Sequence, residues 1–212
     1  MAIITKIEEQ KNKKRVNVFV DDAFFCGLNK ETAVVFRLKV DKEIDESVLK
    51  AAIFESEVKS AFEKGLDYIA SRMHSKKELF EKLLKKGFEK AVIEKAIEKM
   101  QEYHYVDDFL FAKQFIEQNK KLSKKMIENK LKQKGVLSEI INDLQSNCDE
   151  QQEIELCIGY VQKYVKSKDM QKDGAKQKLY ASLARKGFSF DVIKKACSAA
   201  NCLNYEDNDF LD

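Results

Sequence analysis

Three stretches of the chain repeat one order of hydrophobic and polar positions, and each is arranged around a glycine. Counted from Gly87, Gly135 and Gly187, apolar residues stand at positions −8, −4, +1, +5, +6 and +9 in every copy. Apolar residues four apart lie on one side of a helix, and glycine adopts the left-handed conformation that ends a helix without strain. The pattern therefore predicts a helix that ends at each glycine and a second helix that begins a few residues later.

A further segment with helical apolar spacing precedes each pair, at residues 61–72, 108–118 and 154–165. Three helices per unit and a period near 50 residues are typical of helical repeat arrays, in which stacked units bury a core that one unit cannot bury alone. We therefore predict a mainly α-helical protein whose three tandem three-helix repeats form an elongated curved array. The predicted repeats cover residues 54–103, 104–148 and 149–203.

The N-terminal region has the two-residue alternation of a β-sheet instead. Val16, Val18 and Val20 alternate with other residues, and Asp21-Asp22 follows them as a turn. This pattern predicts a small antiparallel sheet over residues 2–27. Short helices over residues 28–53 are expected to join it to the first repeat. The remaining predicted segments are an N-terminal extension, residues 1–53, and an acidic tail, residues 204–212.

Composition supports helices and argues against several classes of site. The 212 residues include no proline and only seven glycines, so few residues interrupt helices. Five cysteines without a C-x-x-C pair, together with two histidines, argue against a metal site. No phosphate-binding glycine loop or catalytic constellation is present, so neither a cofactor nor an enzyme is expected. The N-terminus lacks the pattern of a signal peptide and no segment suits a membrane span, so we expect reduced thiols and a cytoplasmic protein.

The net charge of +3 conceals strongly basic blocks. Residues 113–134 contain eight lysines and two glutamates, and residues 163–195 contain ten basic and three acidic residues. Such blocks suit contact with DNA phosphates or with an acidic protein face, although Lys-rich helix faces are usually solvated surface. The candidate contact residues are Lys120, Lys121, Lys124, Lys125, Lys132 and Lys134, followed by Lys176, Lys178, Arg185 and Lys186.

Several of these motifs resemble the RecX family of recombination regulators, which inhibit the RecA recombinase. The resemblance rests on the strand–turn–strand at residues 16–24, on the helical segment at residues 61–83, and above all on residues 105–112, which read Tyr-Val-Asp-Asp-Phe-Leu-Phe-Ala. The Lys-x-Gly or Lys-Gly helix ends follow in register. The chain departs from the family pattern at residues 38–41, where the family usually has a glycine. The motif residues are Gly87, Gly135, Gly187, Tyr105, Asp107, Asp108 and Ala112.

The resemblance implies a non-enzymatic protein that lies in the groove of the RecA–DNA filament. It would suppress ATP hydrolysis and strand exchange, and so modulate recombination, DNA repair and the SOS response. We expect a monomer with RecA filaments, and single- or double-stranded DNA, as partners. The alternative is a stand-alone DNA-binding protein that uses its Lys-rich faces. Asp107 and Asp108 have a simpler role in either case, since an aspartate before a helix caps it, and Tyr105 and Phe109 are expected to pack between repeats.

Overall fold

A computed structural model describes residues 2–146, 150–168, 170, 172 and 174–200. The predicted antiparallel sheet is confirmed, and it has a fourth strand that was not predicted. The strand order is β3-β2-β1-β4. The strands are β1 (Ala2–Glu9), β2 (Arg15–Val20), β3 (Ala23–Asn29) and β4 (Glu43–Ile44). The predicted acidic tail lies outside the described residues.

The turn between β2 and β3 is a two-residue hairpin loop formed by the two aspartates. Asp21 and Asp22 have φ angles of 48° and 62°, and Val20 pairs with Ala23 across them. Two consecutive residues with positive φ form the type I′ turn that matches the twist of a hairpin. The Asp22 N–H donates to Thr5 Oγ1 at 3.0 Å, which ties the turn to β1.

The helix after the sheet is much longer than expected. The prediction of short helices over residues 28–53 is therefore wrong from Glu46 onwards, where this helix begins. Ile44 pairs with Ala2 in β4, and α2 then runs unbroken from Glu46 to Ser71. Asp45 caps its start by accepting a hydrogen bond from the Ser47 N–H at 2.8 Å. No glycine or proline interrupts the sequence of this helix before Gly65, so one helix spans the predicted boundary between the sheet and the first repeat.

One face of the sheet packs on this helix. Val16, Val18 and Val20 are at most 8% exposed and share a core with Leu49 and Ala52 of α2. A short helix, α1 (Lys30–Val35), follows β3. Asn29 fixes the attachment, because its backbone N–H donates to Ser56 Oγ at 2.6 Å and its side-chain amide donates to the Ser56 carbonyl at 3.0 Å.

Eight further helices follow α2 in the described part of the chain, and with α2 they form the three predicted helical triplets. They are α3 (Lys76–Lys85), α4 (Lys90–Glu102), α5 (Asp108–Gln118), α6 (Lys124–Gln133), α7 (Ser138–Ser146), α8 (Glu150–Ser167), α9 (Ala175–Arg185) and α10 (Phe190–Ala199). The mainly helical fold is therefore confirmed. The chain divides into two compact units between Asp107 and Asp108. The sheet and the first triplet belong to the first unit, and the second and third triplets belong to the second.

The three glycines end their helices in the predicted left-handed conformation. Gly87, Gly135 and Gly187 have φ angles of 93°, 82° and 87°. In each case the residue after the glycine donates its N–H to the carbonyl five residues earlier, at 3.1 to 3.4 Å, which is the hydrogen bond of a Schellman motif. Side chains at −8, −4 and +6 from each glycine are at most 6% exposed. The repeating apolar positions therefore form the cores of the triplets.

Helix α4 ends in the same way without a glycine. His104 has φ 57°, its N–H donates to the Gln101 carbonyl at 2.9 Å, and the Tyr105 N–H donates to the Met100 carbonyl at 2.8 Å. A residue with a Cβ is strained in this conformation. His104 therefore occupies a position that suits glycine.

Candidate functional site

The second and third repeats meet at the turn that follows Lys186, and this meeting place is called the joint below. Ser123 caps α6 by accepting a hydrogen bond from the Met126 N–H at 3.2 Å. Its hydroxyl also donates to the Lys186 carbonyl at 2.5 Å. A Cβ built on Gly187 would lie 2.7 Å from Ser123 Oγ and 3.1 Å from Lys125 Cβ. Gly187 therefore both ends α9 and allows its last turn to approach the start of α6.

Tyr160 of α8 brings basic residues from both repeats to the joint. Its hydroxyl donates to the Lys121 carbonyl at 2.8 Å. Its ring lies 5.7 Å from the Phe188 ring, and Lys186 Nζ lies 4.6 Å from the Tyr160 ring centroid. A lysine over a tyrosine ring is attracted by the π-electrons, so Tyr160 orients the Lys186 side chain.

Glu153, which sequence reasoning did not select, anchors the other side of the α6 N-terminus. Its two carboxylate oxygens lie 3.1 and 3.2 Å from the Lys124 backbone nitrogen, which donates to them. A carboxylate is favoured at the positive end of a helix. Burial nevertheless raises the pKa of Glu153, and the hydrogen bond from Lys124 offsets part of that effect.

The first predicted basic cluster is divided along α6. Lys124 and Lys125 lie at the start of the helix and Lys121 lies just before it, next to the joint, whereas Lys132 and Lys134 lie at its other end. Ten residues of helix span about 15 Å, so one phosphate group cannot contact both ends.

Several of these lysines already have partners. Lys125 and Lys132 both pair with Glu128, at 3.1 and 2.6 Å, and Lys120 lies 3.5 Å from Glu117. Lys134 Nζ lies 5.8 and 5.7 Å from the ring centroids of Phe111 and Phe115. Exposed ion pairs of this kind contribute little to stability, so they leave these side chains able to meet another anion.

The second predicted basic cluster is divided in the same way along α9. Lys176 and Lys178 lie near its start, and Arg185 is its last residue. Arg185 Nε donates to the Ala181 carbonyl at 3.3 Å. Of this cluster, Lys186 has direct contacts at the joint.

A cleft opens beside the joint, between α8 and α9, and one of its lysines was not among the predicted contact residues. That residue is Lys163. The cleft has a volume of about 210 Å³, and its lining is Tyr160, Lys163, Tyr164, Ser167, Ser182, Leu183 and Lys186. The sequence signal that could have identified Lys163 is the spacing of the α8 residues. Lys163, Tyr164 and Ser167 lie three, four and seven positions after Tyr160 and therefore share one helix face with it.

The motif residues at the start of the second repeat are partly exposed. Tyr105 is 51% exposed and packs edge-on against Phe62 within the first unit, with ring centroids 6.3 Å apart. Phe109 is 40% exposed, and Ala112 is fully buried. Asp107 directly precedes α5 and Asp108 is its first residue, so both carboxylates lie at the positive end of that helix, where they are favourable.

Burial shifts the pKa values of one histidine and two cysteines in the direction of their neutral forms. His74 is 3% exposed, and burial lowers the pKa of its imidazole. Burial raises the pKa of Cys26 to about 11 and that of Cys157 to about 12. Among the residues that the structure describes, no group of three His, Cys, Asp or Glu side chains could hold a metal ion. Cys148 and Cys202 lie outside those residues.

The helices are also unlike membrane spans. Within the described ranges, no helix combines the length and the apolar character that crossing a membrane requires.

Known proteins match the chain over most of its length. Residues 2–45 match the family model described as the regulatory protein RecX N-terminal domain. Residues 61–100 match the first RecX three-helix domain, and residues 150–197 match the third. The chain therefore matches RecX models in its sheet, in its first repeat and in its third repeat.

Curated relatives and solved structures agree with these matches. The regulatory protein RecX of Clostridioides difficile (strain 630) is 35% identical over 99% of this chain and 100% of its own length. That of Bacillus licheniformis is 34% identical over 99% of this chain and 80% of its own length. A crystal structure of regulatory protein RecX, 23% identical, covers 96% of this chain and 100% of that one with a TM-score of 0.73, which supports the fold. The chain belongs to the RecX family of regulatory proteins.

Proposed function

We propose that this protein binds RecA–DNA filaments in their groove and inhibits their ATPase and strand-exchange activities. It would thereby modulate recombination, DNA repair and the SOS response. Membership of a family of regulatory proteins is the observation that carries the proposal. We further propose that it acts in the cytoplasm as a monomer and without catalytic activity of its own.

The repeat architecture suits a filament as partner. A helical filament presents the same surface at regular intervals, and three linked copies of one triplet can engage several such surfaces. Linking weak contacts on one chain increases the overall affinity because each later contact forms at a high effective concentration. A repeat protein therefore needs no single deep site to bind a polymer tightly.

The joint is the most promising part of the basic surface. The contacts of Tyr160 and Ser123 hold Lys121, Lys125 and Lys186 near one another. Of the remaining predicted contact residues, Lys132 and Lys134 lie at the far end of α6, and Lys176 and Lys178 lie near the start of α9, so these four would contribute more weakly. We propose that these three lysines meet anionic groups of the filament.

The test is the DNA-dependent ATPase rate of the cognate RecA, measured with increasing amounts of this protein. We expect the rate to fall as the protein is added, and the protein to sediment with the filaments. An unchanged rate without co-sedimentation would reject the proposal. An increased rate would retain the partner but reverse the effect.

A charge-reversal variant locates the contact surface. The variant Lys121→Glu/Lys125→Glu/Lys186→Glu should lose most of the inhibition, since each substitution replaces attraction to an anion by repulsion. A matched control reverses three exposed lysines of the β1–β2 turn, Lys11, Lys13 and Lys14, and should inhibit like the unaltered protein. Equal inhibition by both variants would exclude the joint as the contact.

A stand-alone DNA-binding protein is the second candidate, because the same lysines would bind phosphates without RecA. A mobility-shift titration over a range of salt concentrations, without recombinase, is compared with the RecA ATPase assay. Tight binding to naked DNA that weakens steeply with salt, together with an unchanged RecA ATPase rate, would favour this candidate.

A further inference from the structure

Among the described residues, the lining of the cleft between α8 and α9 consists of hydrogen-bond donors and one leucine, and it includes no acid. Residues of α8 at intervals of three and four face residues at the end of α9 and its C-cap. Its lining is Tyr160, Lys163, Tyr164 and Ser167 from α8, and Ser182, Leu183 and Lys186 from α9 and its cap. A volume of about 210 Å³ is below the ~300–1,000 Å³ of sites for drug-sized molecules. The cleft therefore suits one small group better than a cofactor.

The donors suit a phosphate group. The hydroxyls of Tyr160 and Ser167 already donate to the carbonyls of Lys121 and Tyr164, at 2.8 and 3.0 Å. The remaining donors of the lining residues are the ammonium groups of Lys163 and Lys186 and the hydroxyls of Tyr164 and Ser182. Lysine is a common ligand of phosphate because its ammonium is a compact charge with three donors.

Lys186 is held in place before any ligand arrives. Its backbone N–H donates to the Leu183 carbonyl at 3.0 Å, and its own carbonyl accepts from Ser123 Oγ at 2.5 Å. Its Nζ lies over the Tyr160 ring. A side chain that is already ordered loses less conformational entropy on binding.

Positive charge continues beyond the cleft across the joint. The Lys121 carbonyl accepts from Tyr160, and Lys125 Cβ lies close beside Gly187, so both lysines border the same surface. A lone phosphate ion would use the cleft alone, whereas a strand carries a charge at each successive phosphate. The arrangement therefore favours a polymer of phosphates.

We propose that this cleft binds a phosphodiester group of a nucleic-acid strand, with Lys163 and Lys186 contacting its oxygens. Neighbouring phosphates of the same strand meet Lys121 and Lys125. This inference deepens the proposed function, on which it rests, by naming the nucleic-acid backbone as the group that the joint contacts.

The experiment measures binding of the full chain to a fluorescein-labelled single-stranded oligonucleotide by fluorescence anisotropy at several salt concentrations. The variant Lys163→Gln/Lys186→Gln should bind about tenfold more weakly, since it removes two solvent-exposed charge contacts. Its plot of log affinity against log salt should also be shallower by about 0.7 for each phosphate that the variant no longer neutralises. The control Lys130→Gln/Lys194→Gln removes the same charge from exposed positions of the same unit that do not line the cleft, and it should change affinity less than about threefold.

A second variant tests the shape of the cleft and not its charge. Ser182→Ala leaves the net charge unchanged and should weaken binding without altering the salt dependence. Far-UV circular dichroism and thermal unfolding of each variant check that it folds. In a second experiment, inorganic phosphate alone is titrated into the protein and its binding is measured by calorimetry. We expect the oligonucleotide to displace any saturable phosphate binding.

Three outcomes would overturn the inference. They are no binding of the oligonucleotide by the unaltered chain, equal weakening by the two lysine pairs, and saturable phosphate binding that the oligonucleotide does not displace. Inhibition of the RecA ATPase by the unaltered chain is measured separately. Its absence rejects the proposed function, whereas equal weakening by the two pairs rejects the phosphate subsite alone.

Discussion

Replacing Gly187 by alanine should destabilise the protein more than the same replacement at Gly87. Both residues have left-handed backbone conformations, with φ angles of 87° and 93°, so both variants place a Cβ where it is strained by about 1–2 kcal/mol. A Cβ at Gly87 would meet nothing within 4 Å. Gly87→Ala therefore measures the conformational cost alone.

At Gly187 the added methyl group also meets the second repeat. It would lie 2.7 Å from Ser123 Oγ and 3.3 Å from the Met126 backbone nitrogen, so the start of α6 must shift. The Ser123 hydroxyl donates to Lys186 and accepts from Met126, and loss of these two bonds costs about 1 kcal/mol each. The expected loss of stability is therefore about 3–4 kcal/mol, against about 1–2 kcal/mol at Gly87.

Urea unfolding followed by circular dichroism gives the overall change, and amide hydrogen exchange in α6 and α9 shows where it occurs. A double-mutant cycle with Ser123→Ala isolates the contact. Removal of the hydroxyl should bring the cost of Gly187→Ala closer to that of Gly87→Ala. Equal costs at the two glycines, or no coupling to Ser123, would refute the view that the Lys-Gly turn joins the repeats.

Local contacts of three other residues lead to further predictions. His104→Gly should stabilise the protein by about 1 kcal/mol in thermal or urea unfolding, because it relieves the left-handed strain at the end of α4; destabilisation would contradict this assignment. Tyr160→Phe should cost about 1 kcal/mol in urea unfolding by removing the hydrogen bond to the Lys121 carbonyl, and an unchanged midpoint would contradict it. Burial raises the pKa of Glu153 above its ordinary 4.5, so the Glu153 carboxyl binds its proton more tightly in the folded state than in the unfolded state. The contribution of this carboxyl to stability therefore declines as pH rises from 4.5 through the raised pKa. Urea unfolding across that range should show a smaller decline in Glu153→Gln than in the unaltered protein, and parallel curves would contradict the prediction.

The repeated triplets could be predicted from sequence because burial follows the helical period and glycine marks each end. The capping role of Ser75 follows from sequence as well, because Ser75 and Glu78 have the spacing of a capping box, and the Ser75 side chain accepts from the Glu78 N–H at 3.1 Å. Ser123 stands at the equivalent position of the second repeat, twelve residues before the glycine, and caps α6. In the third repeat this position is Ala175, and α9 starts after Gly174 without a side-chain cap.

Other features could not be read from the pattern. The end of α4 depends on His104, whose left-handed conformation has no glycine to signal it. The length of α2 depends on the absence of an interrupting residue before Gly65. The apolar spacing over residues 61–72 predicted only the last part of this helix, which begins at Glu46.

The grouping of the lysines was the least predictable feature, since it is set by how the second and third repeats pack. Charge counting selected Lys132 and Lys176 as readily as Lys121 and Lys186. It also gave no reason to select Lys163, because the spacing of α8 places this lysine beside Tyr160, Tyr164 and Ser167 but does not show which residues of the neighbouring helix complete the cleft. Which lysines lie together is determined by contacts between segments that are distant in sequence, and the spacing along one segment does not show it.

The most direct test of the proposed function is an electron cryo-microscopy image of this protein on the cognate RecA–DNA filament. The proposal predicts density in the filament groove, in contact with more than one RecA protomer, with residues 121–125 and Lys186 facing the filament. Density outside the groove, or a joint that faces solvent on a decorated filament, would contradict it.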